Sequence, residues 1–216
     1  MTSTLFNRRH FTARALALAC GGFALPATAA QARKVLVLGD SLSAEYGLPR
    51  GSGWVALLQK QLEQSHPGTT VVNASISGET TSGGRSRLPA LLRQHQPTHV
   101  VIELGGNDAL RGLPLAMTRD NLSAMVQSAK TAGARVLLLG MQMPPNYGPD
   151  MTRQFAALYP AVAKAQGAAL VPFFLKGIGD DVDPTRWFQA DRIHPNEAAQ
   201  ARLLANVWPE LKKQLK

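Results

Sequence analysis

Short apolar segments alternate with helix-length segments along almost the whole chain. The apolar segments have the length of buried strands and lie at residues 34–38, 69–74, 99–104, 134–140 and 168–171. The segments with helical character include residues 54–64, 88–93, 118–131, 151–166 and 195–213. Near-continuous apolar strands between helices are typical of a parallel sheet that is covered on both faces. The alternation therefore predicts an α/β fold with a five-stranded parallel sheet, in a single domain of residues 31–216.

The first thirty residues have the pattern of an export signal. Basic residues at 8–9 precede an apolar stretch at 11–25, and small residues at 27–32 have the A-x-A spacing of signal peptidase sites. The apolar stretch is too short to cross a membrane easily. We therefore predict a signal peptide over residues 1–30, with cleavage near 29–32, and a periplasmic or secreted protein. The paired arginines resemble a twin-arginine signal, and an ordinary Sec signal is the alternative.

Composition narrows the classes of function that are open to the chain. The one cysteine, Cys20, lies in the leader, so the remaining chain would have no disulfide and no thiol catalysis. Residues 17–20 weakly resemble a lipoprotein site, which leaves lipid attachment at Cys20 as an alternative. The formal charge is +9, but the chain has no run of five basic residues and no basic–aromatic array, which argues against nucleic-acid binding. No cluster has metal-ligand spacing, so we expect no metal and no cofactor.

Residues with catalytic potential follow four of the predicted strands. Ser41 comes after the first strand, Gly78 after the second and Asn107 after the third. Asp191 and His194 lie in the segment after the fifth strand. Because the C-terminal ends of parallel strands meet at one edge of a sheet, these residues should converge there. Each one alone also has a plainer interpretation, as a turn residue, a loop cap or a helix cap.

The convergence predicts nucleophilic catalysis by serine. A serine hydroxyl attacks a carbonyl carbon only when a base takes its proton. Of the five histidines, only His194 lies at the predicted edge, and Asp191 is close enough in sequence to orient its ring. We therefore predict Ser41 as nucleophile, His194 as base and Asp191 as its orienting partner. The N–H groups of Ser41 and Gly78 and the side-chain amide of Asn107 would form an oxyanion hole.

Four stretches resemble, in order, the blocks of the SGNH (GDSL) hydrolase family: Gly39-Asp40-Ser41-Leu42-Ser43, Gly78, Gly105-Gly106-Asn107-Asp108 and Asp191-Arg192-Ile193-His194. The chain is most similar to the bacterial periplasmic multifunctional esterases of that family, which have thioesterase, protease-like and lysophospholipase activity. The resemblance implies a three-layer flavodoxin-like fold with sheet order 2-1-3-4-5. It also implies the catalytic roles given above, supporting hydrogen bonds from Asp40, and hydrolysis of acyl esters and thioesters without a metal.

The substrate groove is predicted from apolar residues near the site. The segment at 109–117, interpreted as a loop, contributes Leu110, Leu113 and Leu115, and Met143 follows the fourth strand. These four could line an acyl-chain groove, although the leucines could equally pin the loop to the core. We expect an acyl ester, thioester or lysophospholipid as substrate, no stable membrane insertion, and a monomer. Arg192 departs from the small or acidic residue expected in its block, and the run Met141-Gln142-Met143 after the fourth strand also departs from the family pattern.

Two other functions compete with this interpretation. One is a carbohydrate acetylesterase of the same family, and the apolar segment at 109–117 argues against it by favouring longer acyl chains. The other is a flavodoxin-like binding module without catalysis. Such a module has no need of Asn107, Asp191 and His194 together.

Overall fold

The computed structural model describes residues 32–216, and the predicted leader and Cys20 lie outside them. The strands of the described part form one sheet in the order β2-β1-β3-β4-β5, and neighbouring strands are parallel. Their bounds are β1 Lys34–Gly39, β2 Thr70–Asn73, β3 His99–Glu103, β4 Arg135–Leu139 and β5 Ala169–Val171. This confirms the predicted α/β fold class and the sheet order that the family resemblance implied.

Helices cover both faces of the sheet. They are α1 Trp54–Ser65, α2 Thr81–His95, α3 Gly106–Leu110, α4 Leu115–Thr131, α5 Pro149–Gln166 and α6 Glu197–Gln214, with short 3-10 turns at Pro145–Tyr147 and Pro184–Trp187. Helix α1 packs with α6, whereas α4 packs with both α2 and α5. Right-handed crossovers put these two groups on opposite faces, which gives three layers.

The central strands carry the core because they are covered on both sides. Side chains alternate between the two faces of a strand, and in β1 the side chains of Val35, Leu36, Val37 and Leu38 are all completely buried. Alternate residues of one strand therefore pack against the two helix groups. This arrangement fixes the end of β1, and with it the position of Ser41.

The segment at 109–117 is mostly helical, which corrects its interpretation as a loop. Helix α3 ends at Leu110 and α4 begins at Leu115, three residues before residue 118, the predicted start of this helix. Leu115, Ala116 and Met117 are good helix formers, and Pro114 supplies a φ of −58° at the cap, so the helix extends back to the proline.

Within residues 32–216, none of the helices combines the length and the apolar composition that a membrane crossing requires.

Candidate active site

Ser41, His194 and Asp191 form a continuous chain of hydrogen bonds at the C-terminal edge of the sheet. His194 Nε2 lies 2.9 Å from Ser41 Oγ, and His194 Nδ1 lies 2.6 Å from Asp191 Oδ2. Ser41 follows β1, whereas the other two residues lie between β5 and α6. The structure therefore brings together the three residues predicted as nucleophile, base and orienting partner.

The Asp191 carboxylate is held by the turn that it begins. Its Oδ1 accepts hydrogen bonds from the backbone N–H groups of Ile193 at 2.9 Å and His194 at 3.0 Å. Hydrogen bonds from the His194 ring and from these N–H groups lower the pKa of Asp191 to about 2. The carboxylate is therefore ionised at neutral pH. Arg192 has a φ of +58°, a conformation that glycine, asparagine or aspartate adopts with less strain, so arginine at this position has a backbone cost.

A buried glutamine fixes the segment around His194 against the rest of the site. Gln200 Oε1 accepts from the Trp54 N–H at 3.0 Å, and its Nε2 donates to the Asn196 carbonyl oxygen at 3.1 Å. Asn196 also caps α6, since its side chain accepts from the Ala199 N–H. The start of α1 and the residues after His194 are thus linked through one side chain.

Tyr46 packs on the His194 ring, a contact that the sequence did not predict. The ring centroids lie 4.3 Å apart, at an angle of 38°. Gln189 connects the two segments, because its Nε2 donates to the Tyr46 carbonyl oxygen at 2.8 Å and its N–H donates to the His194 carbonyl oxygen at 2.8 Å. An aromatic residue in the loop after a candidate nucleophile is the only sequence signal for this contact.

The predicted oxyanion donors have the features that the role requires. The backbone N–H groups of Ser41 and Gly78 donate no hydrogen bond to any of the described residues, so both are available to a ligand. Gly78 has a φ of +77°, where glycine avoids strain, and Arg111 Nη2 donates to its carbonyl oxygen at 2.9 Å. Asn107 lies in the first turn of α3, and its Nδ2 donates to Asp40 Oδ2 at 2.9 Å. An amide nitrogen carries two hydrogens, so one remains for a substrate.

Two buried carboxyl groups lie beneath the site. Asp40 accepts from Asn107 as expected for a supporting residue, and the second carboxyl belongs to Glu103, whose role the sequence did not predict. Ser43 Oγ donates to Glu103 Oε2 at 2.8 Å, and Trp54 Nε1 donates to Ser43 Oγ at 3.1 Å. A β-carbon at Gly39 would lie 2.8 Å from Glu103 Oε2, so glycine at that position leaves room for the carboxyl.

Asp108 has a structural role. It is fully buried and accepts hydrogen bonds from the Thr81 N–H at 2.8 Å, the Thr81 hydroxyl, and the Thr118 hydroxyl at 3.2 Å. These contacts tie α3 to the first turns of α2 and α4, and so hold the helix that carries Asn107.

The four residues predicted to contact the acyl chain differ in accessibility. Leu110 is 49% exposed, whereas Leu113 is half-buried. Leu115 is half-buried and lines a groove of about 400 Å³ between α4 and α5. Met143 is only 7% exposed and belongs to the core. Met143 therefore does not offer an open contact surface. Met141, which is earlier in the same loop, is also buried and lies near Gly106.

Large apolar side chains are exposed in several segments that follow the strands, among the residues that the structure describes. Each follows the C-terminal end of a strand, and we call the set the apolar collar: Tyr46, Ile76, Leu110, Tyr147, Met151, Val182 and Ile193. Three of these side chains lie beside the candidate catalytic residues: Tyr46 packs on the His194 ring, Leu110 lies three residues after Asn107, and Ile193 directly precedes His194.

Known proteins resemble the chain in both sequence and structure. The GDSL-like Lipase/Acylhydrolase family model matches residues 37–202. "Esterase TesA" of Pseudomonas aeruginosa is 54% identical over 200 residues, which cover 92% of this chain and 98% of that protein. "Thioesterase 1/protease 1/lysophospholipase L1" of Escherichia coli strain K12 is 46% identical over 172 residues, 80% of each chain.

A solved structure gives the same result. The psychrotrophic esterase EstA from Pseudoalteromonas sp., inhibited by monoethylphosphonate, has a TM-score of 0.79 and 40% identity, and the match covers 85% of this chain and 98% of that one. The shared fold, the family match and the similarity over most of each chain lead to one conclusion. The chain belongs to the GDSL-like lipase/acylhydrolase family, the SGNH hydrolases, and is a carboxylic-ester hydrolase.

Proposed function

We propose that the protein is an exported serine hydrolase that cleaves acyl esters and thioesters through Ser41, His194 and Asp191. The observation that carries the proposal is the hydrogen-bond chain from Asp191 through His194 to Ser41, with distances of 2.6 and 2.9 Å. Thioesters are included because the E. coli relative is named a thioesterase.

Acylation begins at the Ser41 hydroxyl. His194 Nε2 takes the proton as Oγ attacks the carbonyl carbon of the substrate, and a tetrahedral intermediate forms. The Asp191 carboxylate accepts from Nδ1–H, holds the ring in the tautomer that can accept at Nε2, and stabilises the imidazolium. Tyr46 covers one face of the ring and limits its movement. His194 then gives the proton to the leaving oxygen or sulfur, and an acyl-serine remains.

Deacylation repeats these steps with water as the nucleophile. His194 takes a proton from the water as it attacks the acyl carbon, and returns the proton to Ser41 Oγ when the carboxylic acid leaves. In both halves the negative charge on the substrate oxygen is met by the N–H groups of Ser41 and Gly78 and by the free Nδ2–H of Asn107. These groups complete the reaction without a metal or a cofactor.

The apolar collar is evidence for substrates whose acyl chain is longer than acetyl. Leu110 lies three residues after Asn107, Ile193 precedes His194, and Tyr46 contacts the His194 ring, so all three flank the proposed catalytic residues. Each buried methylene contributes about 0.8 kcal/mol, so two methylenes shift a preference roughly tenfold. Long-chain acyl esters, acyl thioesters and lysophospholipids meet this requirement.

The proposal also covers the location of the protein and its oligomeric state. The leader would direct the protein to the periplasm or outside the cell. All of the proposed catalytic residues come from one chain, so a monomer is sufficient for activity.

Labelling with a fluorophosphonate tests the proposed nucleophile. We expect one covalent adduct, and peptide mapping should locate it at Ser41, because only an activated serine attacks phosphorus quickly. His194→Ala should abolish the adduct while leaving the unfolding temperature close to that of the unaltered protein. Well-folded protein that takes up no label would favour a binding module instead.

Acyl-chain preference tests the proposed role of the apolar collar. We expect kcat/KM for p-nitrophenyl octanoate to exceed that for p-nitrophenyl acetate by about tenfold or more, because the longer chain buries more apolar surface. Leu110→Ser should lower this ratio and leave the acetate rate almost unchanged. A ratio below one would instead favour the carbohydrate acetylesterase function.

A further inference from the structure

Glu103 is a buried acid that the proposed reaction does not use. It ends β3, its exposure is 0%, and no Lys, Arg or His side chain of the described residues forms an ion pair with it. An isolated buried carboxylate is costly, so a residue in this position either carries a proton or has strong donors.

The hydrogen bonds of Glu103 engage only one of its two oxygens. Oε2 accepts from Ser43 Oγ at 2.8 Å and from the Asp40 N–H at 3.3 Å. Oε1 is buried, and no residue in the range 32–216 donates a hydrogen bond to it. An oxygen without a donor is the natural place for a proton. Asp40 is an adjacent acid, because its own N–H donates to Glu103 Oε2, and a hydrogen bond between the two side chains is among the influences on both pKa values.

Asp40, by contrast, acts as an acceptor at both oxygens. Oδ1 accepts from the Leu42 N–H at 3.0 Å, and Oδ2 accepts from Asn107 Nδ2 at 2.9 Å. An ionised carboxylate accepts such bonds more strongly than a protonated one. When the Asp40–Glu103 pair holds one proton and that proton is on Glu103, each of these hydrogen bonds has both a donor and an acceptor.

We propose that Glu103 is protonated in the folded protein and donates to the Asp40 carboxylate, and that this bond fixes the carboxylate that orients the Asn107 amide. Glu103 is then a positioning residue, which acts on the oxyanion site through Asp40 and touches no substrate. The inference rests on the proposed function, in which Asn107 donates to the substrate oxygen.

The electrostatic environment agrees with a shared proton. Burial raises the pKa of Asp40 to about 6, and burial, together with the Asp40 charge, raises the pKa of Glu103 well above its usual value. The other ionisable groups that interact electrostatically with the pair are Tyr159 from α5 and His194. Tyr159 donates to the Leu104 carbonyl oxygen at 3.1 Å, so its proton is already engaged.

The direction of the pH dependence follows from these shifts. A carboxyl whose pKa is raised by folding binds its proton more tightly in the folded state than in the unfolded state, so its contribution favours folding at low pH and is lost as pH rises. At alkaline pH the proton of Glu103 leaves, the two adjacent carboxylates repel each other, and Asn107 loses its fixed acceptor. Both kcat and the unfolding temperature should then decrease.

Two substitutions at Glu103 test the kinetic part. Glu103→Gln keeps an oxygen for Ser43 and Asp40 N–H and supplies an N–H to the Asp40 carboxylate, so we expect kcat at pH 7 within about threefold of the unaltered enzyme and a weaker alkaline decrease. Glu103→Leu supplies neither, and we expect a loss on the order of 10²-fold in kcat with little change in KM. Asn107→Ala removes one oxyanion donor and should lower kcat by a factor on the order of 10²–10³. The loss expected for Glu103→Leu is therefore nearly as large.

Infrared difference spectroscopy tests the proton itself. At neutral pH the unaltered protein should show the C=O band of a buried carboxylic acid, which Glu103→Gln removes and Asp108→Asn, the matched change at another buried acid, retains. Absence of the band, its persistence in Glu103→Gln, or normal kcat in Glu103→Leu would overturn the inference. If Glu103→Leu does not fold, the spectrum and Glu103→Gln still decide.

Fluorophosphonate labelling separates this inference from the proposed function. Failure of the unaltered protein to label at Ser41 would remove the function on which the inference depends. Normal labelling, together with Glu103 variants that match the unaltered enzyme in spectrum and pH profile, would remove only the role of Glu103.

Discussion

Replacing Ser41 with alanine should lower kcat by about 10⁴-fold or more and leave the fold intact. The only side-chain hydrogen bond of Ser41 within the described residues is to His194 Nε2, so the substitution deletes the attacking oxygen and one contact. The Tyr46 N–H still donates to the Ser41 carbonyl oxygen, which holds the loop after β1. This variant should therefore lose its activity and keep its stability.

Steady-state hydrolysis of p-nitrophenyl octanoate, measured beside thermal unfolding, checks this expectation. Ser52→Ala is the matched control, because Ser52 lies in the same segment but its hydroxyl donates only to the Pro49 carbonyl oxygen. The double variant of Ser41→Ala with His194→Ala should be no slower than Ser41→Ala alone, since the two residues act as a unit. Retention of about a tenth of the original kcat in Ser41→Ala would exclude Ser41 as the nucleophile.

The fold was predictable because buried parallel strands have a clear sequence pattern. Residues 34–38 were predicted as a strand, and β1 is Lys34–Gly39. Apolar residues run without interruption there because helices cover both faces. The start of α4 was not predictable in the same way, since an apolar segment after a glycine and a proline fits a loop or a first helical turn equally well.

The meeting of Ser41 with His194 was also predictable, because the C-terminal ends of parallel strands share one edge. The contact between Tyr46 and His194 was not, because it depends on the path of a loop. Glu45 and Gly47 both have positive φ, at 59° and 70°, and these angles turn Tyr46 toward the histidine. The path also depends on Gln189, which is far from Tyr46 in sequence and donates a hydrogen bond to its carbonyl oxygen. The residues of the loop alone therefore do not indicate its path.

Glu103 escaped prediction for a different reason. At the end of an apolar strand, an acidic residue is usually the point where the chain meets solvent. Here Gly39, on the neighbouring strand, leaves a space that the carboxyl fills, and Ser43 supplies a donor. Gly39 pairs with Glu103 across β1 and β3. This pairing depends on the register of the two strands, which only the folded sheet reveals.

Asp191→Asn should produce the second large effect, a loss of up to about 10⁴-fold in kcat. Asparagine can keep the bonds from the Ile193 and His194 N–H groups through its oxygen, so the turn survives. Its Nδ2 would donate to His194 Nδ1, and the ring would then carry its hydrogen at Nε2. In that tautomer Nε2 cannot take the proton of Ser41, although the geometry is retained.

Kinetics with a matched neutralisation tests this prediction. Asp181 lies in the same segment, and hydrogen bonds, first from Trp187, also lower its pKa to about 2, but it contacts Trp187 and Arg186 rather than His194. Asp181→Asn removes the same charge and should keep kcat within about threefold. Since Asp191 stays ionised down to a pH of about 2, its titration should not limit activity near neutral pH. Equal losses in the two variants would mean that the negative charge of this segment, rather than the orientation of the His194 ring, sustains the reaction.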